Sequence, residues 1–80
     1  MKFRVQITRR AGIADPEGAT TAHALRELGY ADVESVRFGR DMTVEVSGDD
    51  EERALKRVTE MCERLLANPV IEDYTVERVE

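Results

Sequence analysis

The order of the hydrophobic periodicities along the chain constrains its fold most. Residues 2–9 alternate strictly, with Phe3, Val5 and Ile7 on one side, which is the period of a half-buried strand. Stretches with helical spacing follow at residues 16–28 and 51–66, and alternating stretches return at 34–47 and 70–79. Because residues 34–47 hold two alternating runs, the sequence predicts the order β-α-β-β-α-β.

The boundaries of the first helix are marked by local signals. Asp15 is the predicted N-cap, Pro16 occupies the first turn, where its missing N–H is harmless, and Gly29 is placed just past the helix end. Gly18 lowers the helix propensity of the segment. We therefore expect packing to hold this helix in place.

The second helix has the strongest pattern in the chain. Asp49 and Glu52 are spaced as a capping box, and Asn68-Pro69 ends the helix. Two pairs at i,i+4 spacing, Glu52–Lys56 and Glu60–Arg64, are expected on its exposed side. The predicted apolar stripe contains Ala54, Leu55, Val58, Met61, Cys62, Leu65 and Leu66.

The middle of the chain predicts a hairpin. Val36 and Phe38 belong to its first strand, and Met42, Val44 and Val46 belong to its second. Gly39-Arg40-Asp41 is predicted to form the turn between them. Val70 to Val79 then forms the last strand.

These elements predict an α+β fold, a single domain over residues 1–80 with a ferredoxin-like βαββαβ sandwich. Right-handed crossovers give a four-stranded antiparallel sheet with both helices on one face and the first and third strands in the centre. The other sheet face is expected to be polar, and it carries Arg4, Gln6, Thr8, Arg37, Thr43, Glu45, Thr75 and Glu77.

The charge of the chain excludes several classes of partner. Twelve Lys and Arg against seventeen Asp and Glu give a net charge of -5, which argues against binding to nucleic acid or to an anionic membrane surface. No apolar stretch approaches the roughly 20 residues of a membrane span, and no signal-peptide core is evident. One cysteine among eighty residues indicates a reducing compartment, so we expect a cytoplasmic protein.

No catalytic or metal-binding constellation is predicted. His23 is expected to be an exposed helix residue, and Cys62 a buried, unreactive thiol within the apolar stripe. The carboxylates at residues 49–52 are explained by helix capping. An RNA-recognition motif would need aromatic residues on the outward face of the central strands, and that predicted face is polar in this chain. An acylphosphatase-like enzyme would need a glycine-rich phosphate loop after the first strand, and residues 8–12 lack its spacing.

Two segments are each explained either by turn formation alone or by docking, and together they favour a docking surface. Arg37-Phe38-Gly39-Arg40 places two guanidinium groups at the predicted hairpin, and residues 68–74 leave a helix sharply for a strand. Charges at such places set register and specificity in interfaces. The predicted docking residues are Arg37, Gly39, Arg40, Asn68, Pro69, Ile71, Glu72 and Tyr74.

These two segments, together with two shorter ones, resemble the PurS family of phosphoribosylformylglycinamidine synthase subunits. The resemblance rests on Asp15-Pro16-Glu17-Gly18, on Leu28-Gly29-Tyr30, on residues 36–40 and on the ten-residue run 65–74. It covers nearly the whole chain. Arg40 departs from the family pattern, which more often has Lys after the glycine, and a planar guanidinium need not reproduce the contact of an ammonium.

The resemblance implies a small subunit of an ATP-dependent ligase in de novo purine biosynthesis, with no catalytic residue of its own. As a homodimer or higher homo-oligomer, it would bridge a synthetase subunit of PurL type and a glutaminase subunit of PurQ type and support ammonia transfer. The chain itself would bind no cofactor, while the complex would use ATP, Mg and glutamine.

An alternative is a small-molecule sensor of the same topology, similar to amino-acid-binding regulatory domains. Such modules carry a glycine-containing loop after the first strand, and Ala11-Gly12-Ile13 fits that description. They are generally attached to an enzyme or a DNA-binding segment.

Overall fold

The computed structural model describes residues 1–80 as three strands and two helices. The strands are β1 (Lys2–Arg9), β2 (Gly39–Glu45) and β3 (Glu72–Arg78), and the helices are α1 (Pro16–Glu27) and α2 (Glu51–Met61). Both neighbours of β1 are antiparallel to it, in the order β2-β1-β3. The fold is therefore α+β with a three-stranded sheet, so the prediction of four strands is wrong.

The predicted hairpin turn is part of a strand. Gly39, Arg40 and Asp41 pair with Thr8, Ile7 and Gln6 of β1, and residues 33–38 form no ladder. Gly39 permits this pairing because a Cβ at that position would collide with the carbonyl oxygen of Ile7. Consequently β1 alone is central, and β2, predicted to be a central strand, lies at an edge.

The core lies between one face of the sheet and α2. Phe3, Val5 and Ile7 of β1 are almost fully buried and pack against Val58 and Cys62. Burying an apolar side chain of this size contributes roughly 1.5–3 kcal/mol. The predicted strand face, the buried Cys62 and the exposed His23 are thus confirmed, and burial raises the pKa of the Cys62 thiol.

The chain continues from α2 into one π-helical turn, Cys62–Leu66, closed by the Ala67 amide donating to the Cys62 carbonyl at 3.0 Å. The wider turn shifts the residues that follow around the helix axis. Ala67 is buried, whereas Leu65 is 83% exposed. The prediction that Leu65 lies in the core is therefore wrong, and Leu55, 40% exposed, also lies largely outside it.

Both helices begin at acidic capping residues, as predicted, but the cap of α2 lies one residue later than predicted. Asp15 caps α1 by accepting from the Gly18 amide, and Gly29 has a positive φ of 105° just beyond the helix. Asp50, rather than the predicted Asp49, caps α2 by accepting from the Arg53 amide.

The last strand begins at Glu72, two residues later than predicted, because Val70 and Ile71 belong to the preceding turn.

Helix α1 does not share the sheet layer with α2. None of its residues belongs to the core cluster, and the chain is elongated, with extents of 50 × 26 × 14 Å. The prediction of two helices on one sheet face is therefore wrong for α1. The uncovered sheet face is polar as expected, except that Arg37 lies outside the strands.

Candidate functional site

The predicted docking segments meet at one end of the sheet. Three stretches, residues 9–15, 36–40 and 66–73, are joined there by side chains that bind backbone groups. We call these three stretches the junction. It lies at the paired ends of β1, β2 and β3, where α1 and its flanking segments leave the sheet.

Asp15 and Gly18 fix the middle of the chain to the start of α1. The Asp15 carboxylate accepts from the Phe38 amide at 2.8 Å as well as from the Gly18 amide at 3.1 Å. These two hydrogen bonds hold the pKa of Asp15 below its usual range. A Cβ on Gly18 would overlap the Val36 carbonyl oxygen. Residues 36–38 are therefore held by side-chain bonds and close contact instead of by strand pairing.

Two arginines bind carbonyl oxygens around the first loop. The Arg37 guanidinium donates from Nη2 to the carbonyls of Arg9 (2.7 Å) and Arg10 (3.0 Å). Arg10 in turn donates to the Pro69 carbonyl at 2.6 Å and to the Asp73 carboxylate at 3.2 Å. Arg10 is a junction residue that the sequence reasoning missed, because no local pattern marked its partners 59 and 63 positions away.

Arg40 and Glu72 hold the turn between the helix end and β3. Glu72 accepts from Arg40 Nη2 at 2.9 Å and from the Asn68 amide at 2.7 Å. The Asn68 amide is the larger cause and Arg40 the smaller of a pKa for Glu72 below its usual value. The Asn68 side chain also accepts from the Val70 amide at 3.1 Å. The turn is thus fixed at several backbone atoms.

Tyr74 lies beside the junction and points its hydroxyl toward the helical segment. Its O–H donates to Glu63 Oε1 at 2.7 Å, which raises the pKa of Tyr74 to about 12. Its ring is half-buried against the core.

The structure brings the predicted docking residues together. Arg37, Arg40, Asn68, Glu72 and Tyr74 use their polar groups on other residues of this chain, and Ile71 is half-buried. Pro69 and its neighbour Val70, 76% exposed, face outward. The arrangement is suited to presenting a rigid turn, and two of its arginines are paired with carboxylates, Arg10 with Asp73 and Arg40 with Glu72.

No group of three or more His, Cys, Asp or Glu side chains is placed to hold a metal ion. No helix has the length and apolar composition to cross a membrane.

Comparison with known proteins identifies relatives of this architecture. The family model described as PurS, phosphoribosylformylglycinamidine (FGAM) synthase, matches residues 2–80. The FGAM synthase subunit PurS of Methanocaldococcus jannaschii is 41% identical, with 99% of this chain and 98% of that protein covered. These matches do not favour the alternative of a small-molecule sensor.

Solved structures agree with the family match. A chain in the structure of PurLQS from Thermotoga maritima superposes with a TM-score of 0.88 at 36% identity, covering 98% of this chain and 95% of that chain. Bacillus subtilis PurS superposes with a TM-score of 0.85 at 39% identity, covering 95% and 94%.

Proposed function

Because the chain belongs to the PurS family of FGAM synthase subunits, we propose that it joins the synthetase and glutaminase subunits of that enzyme into one complex. The observation that carries this proposal is the superposition on a chain of the Thermotoga maritima PurLQS structure, a structure whose name includes all three subunit types. The chain's own contribution is to hold its partners in register so that ammonia from glutamine reaches the synthetase. Free ammonia would otherwise diffuse away or become ammonium, which is not a nucleophile.

The chemistry of the junction supports a docking role. Its polar side chains stabilise the chain's own turns, and a turn that is already ordered loses less conformational entropy when it binds. We propose that the eight docking residues act together, with Pro69 at the contact surface and the polar members fixing the backbone behind it. In this proposal the chain binds no cofactor, and ATP, Mg and glutamine are used by the other subunits.

A homodimer is consistent with the exposed part of the molecule around α1. Leu28, Tyr30 and Phe38 are 75%, 58% and 44% exposed, and α1 has no sheet to cover its apolar side. A second copy packed on this region would bury that surface, as small domains often require. We propose a homodimer or higher homo-oligomer as the bridging form.

The experiment is reconstitution from the synthetase and glutaminase subunits of the same organism with ATP, Mg and substrate. We expect glutamine-dependent FGAM formation to disappear when this chain is omitted, while formation supported by added ammonium salt persists. The free ammonia in equilibrium with that salt reaches the synthetase directly from solution, without transfer between subunits, so this reaction is the internal control. Unchanged glutamine-dependent activity without this chain would rule out the bridging role.

The docking residues are tested in the same mixture by Arg37→Ala. Lys56→Ala is the matched control, because it removes the same charge from an exposed side chain outside the junction that has no hydrogen-bond or ion-pair partner in this chain. We expect Arg37→Ala to weaken assembly in mass-resolved chromatography and Lys56→Ala to leave it unchanged. Equal assembly of the two variants would refute the role of Arg37.

A further inference from the structure

The unpaired cations of this acidic chain are concentrated on one helix. Seven of the twelve Lys and Arg side chains donate to a carboxylate or a carbonyl oxygen within the chain. The five without such a partner are Arg9, Arg53, Lys56, Arg57 and Arg64. Four of these five lie on α2 and the π-helical turn that continues it.

The i,i+4 pairs that the sequence predicted on this helix are not formed. Neither Glu52–Lys56 nor Glu60–Arg64 is among the ion pairs of the structure, where α2 contributes Glu51 to Arg78 instead. The cationic side chains of the helix are therefore available to carboxylates from outside the chain.

Three of these cations form a stripe. Arg53 and Arg57 are four residues apart, so they lie on one face of α2 about 6 Å apart along its axis. Both line a groove of about 280 Å³ beside the helix start. Arg57 also lines the next groove, of about 360 Å³, together with Arg64. The two grooves therefore adjoin at Arg57 and are lined by all three arginines, whereas Lys56 lines neither groove.

The second groove combines this charge with apolar surface. Met61 and Leu66 are half-buried there and Leu65 is 83% exposed. Arginine and methionine are enriched in the cores of protein interfaces, and arginine is a frequent binding hot spot. Acidic residues line the grooves as well: Asp49 and Asp50 in the first groove and Glu60 in the second. Asp50 is already engaged as the cap of α2.

We propose that the stripe formed by Arg53, Arg57 and Arg64 docks an acidic, partly apolar segment of one of the other two subunits. Guanidinium groups bind carboxylates in a bidentate manner and are more easily desolvated than ammonium groups, which suits them to this task. The charge complementarity is specific to the stripe. The chain as a whole has a net charge of -5, so its remaining surface would repel an acidic segment. The inference rests on the proposed bridging function and adds a second docking surface, which adjoins the junction at Leu66.

The test compares Arg57→Glu with Lys56→Glu. Both substitutions reverse one charge on adjacent exposed positions of α2, but only Arg57 lines the grooves. Binding of each variant to the combined synthetase and glutaminase subunits is measured by titration calorimetry at low and at high salt. We expect Arg57→Glu to weaken binding at least tenfold at low salt and Lys56→Glu to change it less than threefold, with the difference shrinking as salt screens the charges.

The possible outcomes distinguish failure of this inference from failure of the proposed bridging function. If wild-type protein binds and the two variants weaken binding equally, this inference fails while the bridging function stands. If wild-type protein does not bind, both fail. Two further results would overturn the inference: a change in the mass of the isolated oligomer with Arg57→Glu alone, which would assign the stripe to a second copy, or Arg57-dependent binding of a fluorescent oligonucleotide. Thermal unfolding of each variant checks that the helix is intact.

Discussion

Arg40 binds Glu72 with the same nitrogen that binds the Leu66 carbonyl: Nη2 donates to Glu72 Oε1 at 2.9 Å and to the carbonyl at 3.0 Å. The contact therefore does not use the planar fork of the guanidinium. A lysine ammonium has three donors on one nitrogen, so it can make both contacts. We therefore expect lysine to be tolerated in place of Arg40.

We expect Arg40→Lys to change the free energy of unfolding by less than about 0.5 kcal/mol, and Arg40→Ala to lower it by about 1 kcal/mol through the loss of an exposed ion pair and a carbonyl contact. Urea denaturation of both variants measures the difference. Equal losses for Lys and Ala would show that the guanidinium shape matters.

Glu72→Gln should lower the free energy of unfolding at neutral pH by about 1–2 kcal/mol, because the charged carboxylate accepts from the Asn68 amide and from Arg40. The pKa of Glu72 is lowered in the folded state. The stabilisation is therefore complete above the unfolded pKa of about 4.3 and is lost as the pH falls through the lower folded value.

The measurement is urea denaturation of wild type and variant at pH 7 and at successively lower pH. Glu34→Gln is the control, since Glu34 is exposed and has no bonded partner in the chain. A gap between wild type and Glu72→Gln that stays constant with falling pH would contradict the assignment.

Gly18→Ala should destabilise the protein by about 1–3 kcal/mol, although alanine is the better helix former by up to about 1 kcal/mol. The added Cβ would overlap the Val36 carbonyl oxygen and the Asp15 carboxylate that holds Phe38. Thermal unfolding compares this variant with Thr20→Ala, an exposed change on the same helix. Higher stability for Gly18→Ala would mean that residues 36–38 do not approach α1 as described.

Two substitutions at Tyr74 separate the contribution of its ring packing to stability from that of its hydrogen bond. Tyr74→Phe keeps the half-buried ring and loses the bond to Glu63, so the free energy of unfolding should fall by about 0.5–1.5 kcal/mol. Tyr74→Ala also removes the ring and should lose about 2 kcal/mol or more. A difference of this size means that loss of assembly in Tyr74→Ala cannot by itself identify a docking contact.

The hydroxyl is tested directly by tyrosinate absorption in an alkaline pH jump. The wild type should show a component with a pKa of about 12, and Tyr74→Phe should lack it. The same component in the variant would assign it to another group.

Local sequence signals located most elements but could not assign their partners. The alternation of residues 2–9 and the signals at Asp15, Pro16 and Gly29 place β1 and α1 almost to the residue. Val36 and Phe38 also alternate, yet their backbone is held by Asp15 and its neighbours. The docking segments were found by their charge and by resemblance, whereas the side-chain contacts that join the three stretches of the junction connect residues 23 to 63 positions apart.

The sequence by itself determined the periods of β1 and α2, the start of α1, the buried Cys62 and the family, because these depend on neighbours within a few residues or on a direct match of motifs. Only the tertiary structure decided that the sheet has three strands, that Gly39 lies within one of them, that α1 leaves the sheet layer and that Arg10 belongs to the junction. The physical reason is that a strand is completed by hydrogen bonds to another segment, and a polar side chain is fixed by whichever distant backbone group folding brings within 3 Å or so of it.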